Sequence, residues 1–263
     1  MYHLPVGGAC YELDSIRDHI DFEIDVGFVF PKRVVEGSVI TAALDIPWIN
    51  GRDDILTTRN KASVLTQLQK VGIQTPRTVL VSSPADADAI RDVFDRFEGP
   101  VVIKPNSTTR GTGHVLVDDP DSFRGVVDYL ELIHDFPATG DRSFLLQEYI
   151  PEARDVRLTV IDGVVAGAVE RRLDGDADGW VKNVHRGATP VPVTPSKRLS
   201  DIAEHVADTL GVALLGVDVL IGPEGPVVIE VNGRPTIDRI EQYPSDFYDR
   251  LAALIRRVAK EGS

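Results

Sequence analysis

The chain has 263 residues, a size that suits one large domain or two to three small subdomains that share cores. Its formal net charge of −13 argues against nucleic-acid phosphates or anionic lipid as the main partner. No apolar run approaches the ~20 residues of a membrane-spanning helix, and a single cysteine, Cys10, excludes an intrachain disulfide or a cysteine-based zinc site.

The N-terminal residues MYHLPVGG lack the basic start and the apolar core of a signal peptide. We therefore expect a cytoplasmic protein without a membrane partner. Most of the acidic residues are Asp, and Arg far outnumbers Lys. This pattern resembles proteins from salt-accumulating cells and equally fits an ordinary acidic protein, so both interpretations stay open.

Helices and strands alternate along the chain without repeats or low-complexity linkers, which predicts an α/β fold with several small sheets. Residues 1–55 have the least distinct pattern, and no Gly-rich fingerprint follows a strand there, so a dinucleotide site is not expected. The predicted N-terminal elements are a helix over 11–25, a strand over 27–30, a helix over 39–44 and a strand end over 47–50. The later ones are a helix over 61–71, a strand over 78–81, a helix over 84–97 capped by Ser83, strands over 101–104 and 115–117, a helix over 121–133, a strand over 144–147, a hairpin over 155–171 turning at Asp162-Gly163, a helix over 199–210, strands over 217–221 and 226–231, and a helix over 247–259.

Three polar residues interrupt the aliphatic strand pair near the C-terminus, in the segment GVDVLIGPEGPVVIEVNGRPT. Glu230 and Asn232 share one face because side chains alternate along a strand, and Asp218 lies beside them if the two strands pair. Carboxylate and amide oxygens are the hard ligands that Mg²⁺ prefers. The segment therefore predicts a metal site, and an exposed edge whose polar residues face water is the alternative.

Lys104 ends the short apolar strand Val-Val-Ile and begins the loop PNSTTRGTG. A lysine at a strand end can reach a phosphate as a point charge, and Gly111 and Gly113 let backbone N–H groups approach it closely. The segment is not a P-loop, because no Gly-Lys-Ser/Thr ends it. An ordinary surface loop is the alternative.

A connecting segment follows the predicted strand over 144–147 and joins the two halves of the region after residue 60, where the pattern is distinct. Its sequence is Gln147-Glu148-Tyr149-Ile150-Pro151. Such a connector can present backbone groups to an adenine edge, while Glu148 reaches the ribose. A plain linker between subdomains is the alternative.

Arginines recur in the predicted hairpin and in the loop after it. Asp155 and Arg157 share one strand face, Arg171 lies at the far end of the paired strand, and Asn183 and Arg186 follow. Arginines that point into a cleft suit phosphate or carboxylate, and surface ion pairing is the alternative. No G-x-S-x-G elbow occurs, so covalent catalysis through the protein is not expected.

Five segments, taken in their order along the chain, resemble the motifs of a known protein family. They are Asn60-Lys61 before a helix that ends in GIQTP, then VVIKPNSTTRGTG, LLQEYIPEARDVRLTVIDG, VKNVHRGA and GVDVLIGPEGPVVIEVNGRPT. Together they closely resemble the ATP-grasp superfamily and, within it, the RimK-type α-L-glutamate ligases. The resemblance covers about residue 28 to the C-terminus.

The resemblance implies an ATP-grasp fold in which two α/β subdomains clasp ATP behind a short N-terminal pre-ATP-grasp domain. The corresponding boundaries are 1–58, 59–147 and 148–263. It implies an ATP-dependent, ADP-forming ligase that joins a small-molecule or peptide carboxylate acceptor to an amino acid, with glutamate favoured, through an acyl phosphate. The implied cofactors are ATP and Mg²⁺, with two ions expected and Mn²⁺ a possible substitute, and a homo-oligomer is compatible with it.

Roles carry over from the family to matching positions. The nucleotide would be held by Lys61, Lys104, Gly111, Gly113, Gln147, Glu148, Tyr149, Ile150 and Asp155. The catalytic residues would be Arg157, Arg171 and Asn183, the metal ligands Asp218, Glu230 and Asn232, and the substrate contacts Arg186 and Arg234.

Two features depart from the family pattern. The N-terminal domain is short and lacks a clear βαβ unit, which bears on acceptor binding, and the phosphate loop is poorer in glycine than in relatives. A non-catalytic, ATP-binding regulatory or scaffold protein is the second interpretation. Another ATP-grasp chemistry, such as a peptide ligase without a glutamate preference, is the third.

Overall fold

The computed structural model describes residues 23–28, 34–83, 85–108, 113–133, 142–173, 188–237 and 240–261. Its elements are β1 Gly27–Phe28, α1 Val34–Leu44, β2 Trp48–Ile49, α2 Arg52–Arg59, α3 Lys61–Lys70, β3 Thr78–Ser82, α4 Ala87–Phe94, β4 Val101–Pro105, β5 Val115–Val117, α5 Pro120–Ile133, β6 Ser143–Glu148, β7 Arg154–Ile161, β8 Val164–Arg172, β9 Thr189–Pro192, α6 Lys197–Leu210, β10 Leu214–Gly222, β11 Gly225–Asn232, the short 3-10 helix Ile240–Gln242 and α7 Phe247–Glu261.

The central sheet is antiparallel, with its strands in the order β3-β6-β4-β5. Val101 and Ile103 of β4 point to one face and pack with Phe94 of α4 and Phe123 of α5, whose rings stack 4.1 Å apart. Because side chains alternate along a strand, Lys104 points to the opposite face. The helices thus cover one face of the sheet, and the lysine stands on the other.

The C-terminal sheet is antiparallel and has the order β11-β10-β7-β8-β9. One face packs against α3 and α6 in the largest apolar cluster of the described residues, which includes Leu68, Leu158 and Val217. Ser196 caps the start of α6 by accepting from the Leu199 amide. The opposite face therefore remains for the polar residues of β7, β8, β10 and β11.

The buried side chain of Asn50 connects the N-terminal elements to the C-terminal sheet by hydrogen bonds. The Nδ2 of Asn50 donates to the Leu214 carbonyl at 2.5 Å and to the Gly233 carbonyl at 2.6 Å, and its Oδ1 accepts from the Leu214 amide at 3.2 Å. Ile49 packs next to it with Leu214 and with Phe247 of α7. Asn50 thus ties the start of β10 to the chain that leaves β11.

Most predicted elements are confirmed, together with the α/β class. The hairpin turn is confirmed at Asp162 and Gly163, which have φ angles of 53° and 78°, as a tight two-residue turn requires. The Ser83 cap is wrong, because α4 begins at Ala87 and the Asp86 carboxylate accepts from the Ala89 amide at 2.9 Å. Residues 11–22 of the first predicted helix lie outside the described part of the chain, and residues 23–25 are not helical, so that part of the prediction is wrong.

Three described elements, α2, β9 and the 3-10 helix Ile240–Gln242, have no counterpart among the predicted ones. The domain boundaries 1–58, 59–147 and 148–263 stay a prediction. Helix α3, which follows the first boundary, packs its Val64 and Leu68 into the core of the C-terminal sheet. Among the helices that the structure describes, none is both long enough and apolar enough to span a membrane.

Candidate active site

Strand pairing in the C-terminal sheet places five ionisable residues side by side. Asp218 of β10 lies opposite Glu230 of β11 and opposite Arg157 of β7, and Asp155 of β7 lies opposite Arg171 of β8. Directly opposed residues point to the same face of a sheet, as do residues two apart in a strand. These side chains therefore gather on the face that the helices leave open.

Asp218 lies at the centre of this group and has no exposed surface. Arg157 donates to both of its oxygens, from Nε to Oδ1 at 2.6 Å and from Nη2 to Oδ2 at 2.6 Å. Arg171 bonds to the Asp155 Oδ1 through Nε at 3.0 Å and Nη2 at 2.5 Å, and its Nη1 lies 3.4 Å from the Asp218 Oδ2. The result is a buried network of two arginines and two carboxylates.

The pKa values of the two carboxyl groups, Asp218 and Asp155, are shifted in opposite directions. Burial opposes ionisation of Asp218, but the charges of Arg157 and Arg171 outweigh it and lower the pKa of this carboxyl. Burial raises the pKa of Asp155 to about 6, against the attraction of Arg171 and with repulsion from Asp218. Asp218 is thus the stable anion of the pair, and Asp155 is the group closer to protonation at neutral pH.

Glu230 and Asn232 complete the predicted metal site, as the alternation along β11 requires. The Asn232 Nδ2 lies 3.3 Å from the Asp218 Oδ2 and 3.5 Å from the Glu230 Oε1, so the three side chains are neighbours. Within the described residues, no three His, Cys, Asp or Glu side chains could hold an ion by themselves. An ion here therefore needs the Asn232 amide oxygen or phosphate oxygens as well, which fits Mg²⁺.

The fit differs among the three ligands. Glu230 is half-buried, and its carboxylate is near enough to Asn232 to share an ion with it. Both oxygens of Asp218 already accept from Arg157, and Oδ2 also lies within 3.4 Å of Arg171 Nη1 and Asn232 Nδ2, so this carboxylate has fewer lone pairs left for an ion. The residues present thus suit a divalent cation, with Glu230 and Asn232 the more accessible ligands.

Lys104 reaches from the central sheet to the C-terminal sheet. Its Nζ lies 3.5 Å from the Ile229 carbonyl, next to Glu230 in β11. Burial lowers the pKa of Lys104 to about 8, an effect that the Glu230 and Asp218 charges partly offset and the Lys61 charge reinforces. The lysine is therefore a buried cation at the place where the two sheets meet.

Gln147 holds this lysine in place. The Lys104 Nζ donates to the Gln147 Oε1 at 2.7 Å, and the Gln147 Nε2 donates to the Thr78 Oγ1 at 2.8 Å. Thr78 in turn donates to the Pro76 carbonyl at 2.9 Å. Gln147 thus lies in the predicted nucleotide segment, and its side chain orients the Lys104 ammonium.

Lys61, the first residue of α3, contacts the start of the loop after β4. Its buried Nζ donates to the Asn106 carbonyl at 3.3 Å and to the Thr108 carbonyl. The Asn106 side chain accepts from the Ala62 amide at 2.9 Å and donates to the Ser143 Oγ at 3.0 Å. Two lysines therefore flank the predicted phosphate loop, and the loop's first residues are firmly held.

One of the two loop glycines can be placed. Gly113 has a φ of +78°, and a Cβ there would lie 2.9 Å from the Pro105 Cγ, so both backbone and packing favour glycine. Gly111 lies outside the described residues, as do Asn183 and Arg186. Arg234 is described just beyond β11, with an exposed side chain.

The predicted adenine segment closes against the β10–β11 turn. The Tyr149 amide donates to the Pro100 carbonyl at 3.1 Å, and a Cβ on Gly222 would lie 2.6 Å from the Ile150 Cγ2. The Glu148 Oε1 accepts from the Arg77 amide at 2.9 Å. One Glu148 oxygen is therefore bound to the neighbouring backbone, and the expected ribose contact stays a prediction that falls to the other oxygen.

The sequence does not identify three residues that position parts of the site through hydrogen bonds: Asn50, Thr78 and Asn106. Each acts through hydrogen bonds to residues distant in sequence, such as the Asn50 bond to Gly233. A buried amide or hydroxyl has no periodic signature, so no sequence signal identifies these side chains. Asn106 alone lies in a segment that had already been singled out, the loop after Lys104.

A helix-covered antiparallel sheet that carries a buried lysine and meets a second sheet bearing acids, an amide and arginines is the architecture of the ATP-grasp proteins. The structure is similar to the D-alanine–D-alanine ligase of Bacillus anthracis complexed with ATP, with a TM-score of 0.71 at 18% identity, covering 96% of this chain and 86% of that one. It is also similar to an ATP-grasp RimK domain protein of Sphaerobacter thermophilus, with a TM-score of 0.64 at 22% identity and coverage of 91% and 81%.

The chain belongs to the RimK-like ATP-grasp family, whose domain model matches residues 58–255. It is 34% identical over 212 residues to a probable alpha-L-glutamate ligase of Citrobacter koseri, covering 78% of this chain and 66% of the relative. It is 29% identical over 248 residues to one of Shewanella halifaxensis, covering 92% and 51%. The chain thus spans between half and two thirds of the length of these curated relatives.

Proposed function

We propose that the protein is an ATP-dependent, ADP-forming ligase that joins a carboxylate to an amine. The observation that carries the proposal is the approach of Lys104 to the Ile229 carbonyl, which brings a buried cation beside Glu230, Asp218 and Asn232. Phosphoryl transfer chiefly needs positioning and charge neutralisation, and this juxtaposition supplies both. Membership of the RimK-like ATP-grasp family supports the same chemistry.

In this proposal the nucleotide lies between the two sheets. Lys61 and Lys104 hold phosphates, the backbone around Gly111 and Gly113 approaches them, and the segment 147–150 receives the adenine. Gln147 acts mainly by fixing Lys104, because its Oε1 accepts from that ammonium. Asp155 lines the pocket beside Arg171.

Glu230 and Asn232, with Asp218 behind them, would hold Mg²⁺, or Mn²⁺ in its place, and two ions are part of the proposal. When bound, the metal would neutralise phosphate charge. Because Asp218 is paired with Arg157, its share in metal binding is coupled to the freedom of that arginine.

The carboxylate oxygen of the acceptor attacks the γ-phosphorus of ATP, and the bond to the β–γ bridging oxygen breaks to release ADP. The amine then attacks the acyl carbon, inorganic phosphate leaves, and the amine proton passes to solvent. Arg157, Arg171 and Asn183 would stabilise the transferring group. Arg186 and the exposed Arg234 would contact substrates.

Glutamate is the incoming amino acid in this proposal, because the curated relatives are named alpha-L-glutamate ligases. The acceptor is a small molecule or a peptide that presents a carboxylate. A cytoplasmic setting without a nucleic-acid partner, and the possibility of a homo-oligomer, also stay proposals.

Hydroxylamine trapping tests the reaction class. Acceptor carboxylates are screened with ATP and Mg²⁺, with hydroxylamine in place of the amine. We expect a hydroxamate that requires ATP, Mg²⁺ and the right carboxylate, and that is absent for Glu230→Gln. If amide is formed while labelled ATP yields AMP and pyrophosphate, activation is by adenylation and the proposed mechanism is wrong. ATP binding without any acceptor-dependent ADP release would favour the non-catalytic interpretation.

A further inference from the structure

A second charged group lies on the opposite face of the C-terminal sheet. Glu170 of β8 is opposite Val156 of β7, so it points to the face that α6 covers rather than to the site. Arg154 binds both of its oxygens, with Nε 3.1 Å from Oε1 and Nη2 2.9 Å from Oε2. Arg172 donates from Nη2 to the same Oε2 at 2.9 Å.

This group differs from a simple ion pair in how its charges are exposed. The Glu170 side chain is 8% exposed, whereas those of Arg154 and Arg172 are 57% and 55% exposed. The hydrogen bonds from both arginines lower the pKa of Glu170 to about 2, so it remains an anion and fixes both guanidinium groups. A buried carboxylate thus presents two oriented guanidinium groups to solvent.

A pocket of about 390 Å³ opens beside Arg154. Its apolar wall includes Val156, Leu199, Ile221 and Pro226, and Arg198 stands at its rim. The volume lies within the range of roughly 300–1,000 Å³ that is typical of ligand pockets.

Arg198 adds a third guanidinium group to this side of the sheet. A Cβ on Gly225 would lie 3.5 Å from its Nη2, so the side chain extends over the β10–β11 turn. In the part of the chain that the structure describes, no carboxylate pairs with Arg198. Arg154 and Arg172 therefore share the buried Glu170, and Arg154 and Arg198 line the apolar pocket, on a protein whose net charge is −13.

We propose that this pocket is a docking site for an acidic peptide segment of a partner protein. An apolar side chain of the segment enters the pocket, while its carboxylates bind the guanidinium groups of Arg154, Arg172 and Arg198. Charge complementarity selects the occupant, because preoriented guanidinium groups suit carboxylates. The site is separate from the ligase site and does not depend on that activity.

Fluorescence anisotropy of the whole protein with a labelled peptide tests the proposal. The probe is a short peptide in which glutamate and leucine alternate, measured with saturating ATP and Mg²⁺ so that the ligase site is occupied. Two comparison peptides replace leucine by glycine or glutamate by lysine. We expect the first to bind more weakly and the second not to bind, and the affinity of the probe to fall as salt rises.

Surface variants locate the site. Arg198→Glu should weaken binding of the probe by about tenfold, since it replaces an attraction with a repulsion at the rim. Thr194→Trp, which fills the pocket from its exposed edge, should weaken binding comparably. Arg124→Glu, on the exposed side of α5, is the matched charge control and should leave binding unchanged.

Thermal melting of each variant establishes that it is folded before its affinity is compared. The proposal is overturned if the probe fails to bind, or if wild type, Arg198→Glu and Thr194→Trp bind it equally. An equal loss in Arg124→Glu would also overturn it, because binding would then follow overall charge rather than this pocket.

Discussion

Arg157 donates to both carboxylate oxygens of Asp218, and each of the two nitrogen–oxygen distances is 2.6 Å. Asp218 is fully buried, and the Arg157 side chain is 20% exposed. A buried pair of this kind gains little over an apolar pair, but loss of one partner leaves an uncompensated charge. The arrangement makes Arg157 a determinant of how freely Asp218 can contribute to a metal site.

Breaking this pair should destabilise the protein. We expect Arg157→Leu to lower the free energy of unfolding by about 3 kcal/mol, because Asp218 keeps only its longer contacts with Arg171 and Asn232. Urea unfolding measures the effect. Arg91→Leu removes an exposed partner 4.0 Å from Asp95 and should cost less than about 1 kcal/mol. In the double variant Arg157→Leu/Asp218→Leu the loss should be smaller than the sum of the two single losses, and simple additivity would contradict the pairing.

Nucleotide affinity should depend on the protonation of Lys104. Burial lowers the pKa of this lysine to about 8, so its charge is present below that pH and is lost above it. We expect ATP affinity, measured by calorimetry, to fall as pH rises through about 8, by up to roughly tenfold per pH unit. Lys104→Arg stays charged and should lose this dependence. The same pH profile in both proteins would exclude a phosphate contact by Lys104.

Thermal stability should rise with salt. With a net charge of −13, repulsion between surface carboxylates opposes the compact state, and at about 1 M salt the screening length shrinks to about 3 Å. We expect the melting temperature to climb with KCl well beyond physiological concentration. A flat or falling curve would identify an ordinary acidic protein without adaptation to salt.

The sequence sufficed for the parts of the site that local pattern controls. Strand alternation correctly paired Glu230 with Asn232, and the apolar run around Asp218 indicated a buried strand. The end of the apolar strand at Lys104 likewise indicated a lysine beside a polar loop. Periodicity carries these features because each depends on which face of one element a residue occupies.

What the sequence did not reveal depends on contacts across the fold. Nothing in the segment around Gln147 indicates that its amide bridges Lys104 and Thr78. The partnership of Asp218 with Arg157 follows from the register of β7 on β10, which local pattern does not specify. The cap of α4 is a related case, since Ser83 and Asp86 both suit a helix start and local pattern does not distinguish them, whereas the structure has Asp86 in that position.

Glu170 should contribute stability that acid removes. The hydrogen bonds that it accepts from Arg154 and Arg172 lower its pKa from the usual 4.5 to about 2. A lowered carboxyl pKa gives stability that is fully present above the unfolded-state value and is lost as pH falls toward the folded-state value. Glu170→Gln should therefore destabilise the protein at pH 7, and its difference from wild type should narrow below about pH 4.5.

Urea unfolding at a series of pH values measures that difference. Glu224→Gln, in the exposed turn between β10 and β11, is the matched control and should have little effect at any pH. A Glu170→Gln effect that stays constant from neutral pH down to acid would show that the carboxylate charge is not what holds the two arginines.

Asn50 should link the stability of the fold to the geometry of the metal site. Its Nδ2 binds the Leu214 and Gly233 carbonyls, and Gly233 directly follows Asn232. Asn50→Ala leaves two buried carbonyls without this donor, each at a cost of about 1–3 kcal/mol, so we expect a loss of roughly 2–4 kcal/mol in urea unfolding. Asn50→Asp should lose at least as much at neutral pH, because a carboxylate donates to neither carbonyl. Gln69→Ala removes an exposed hydrogen bond from the Gln69 amide to Thr75 and should cost less than about 0.5 kcal/mol.

We also expect Asn50→Ala to weaken Mg²⁺-dependent ATP binding under conditions where it remains folded. Unchanged affinity in a folded Asn50→Ala protein would confine the role of Asn50 to stability.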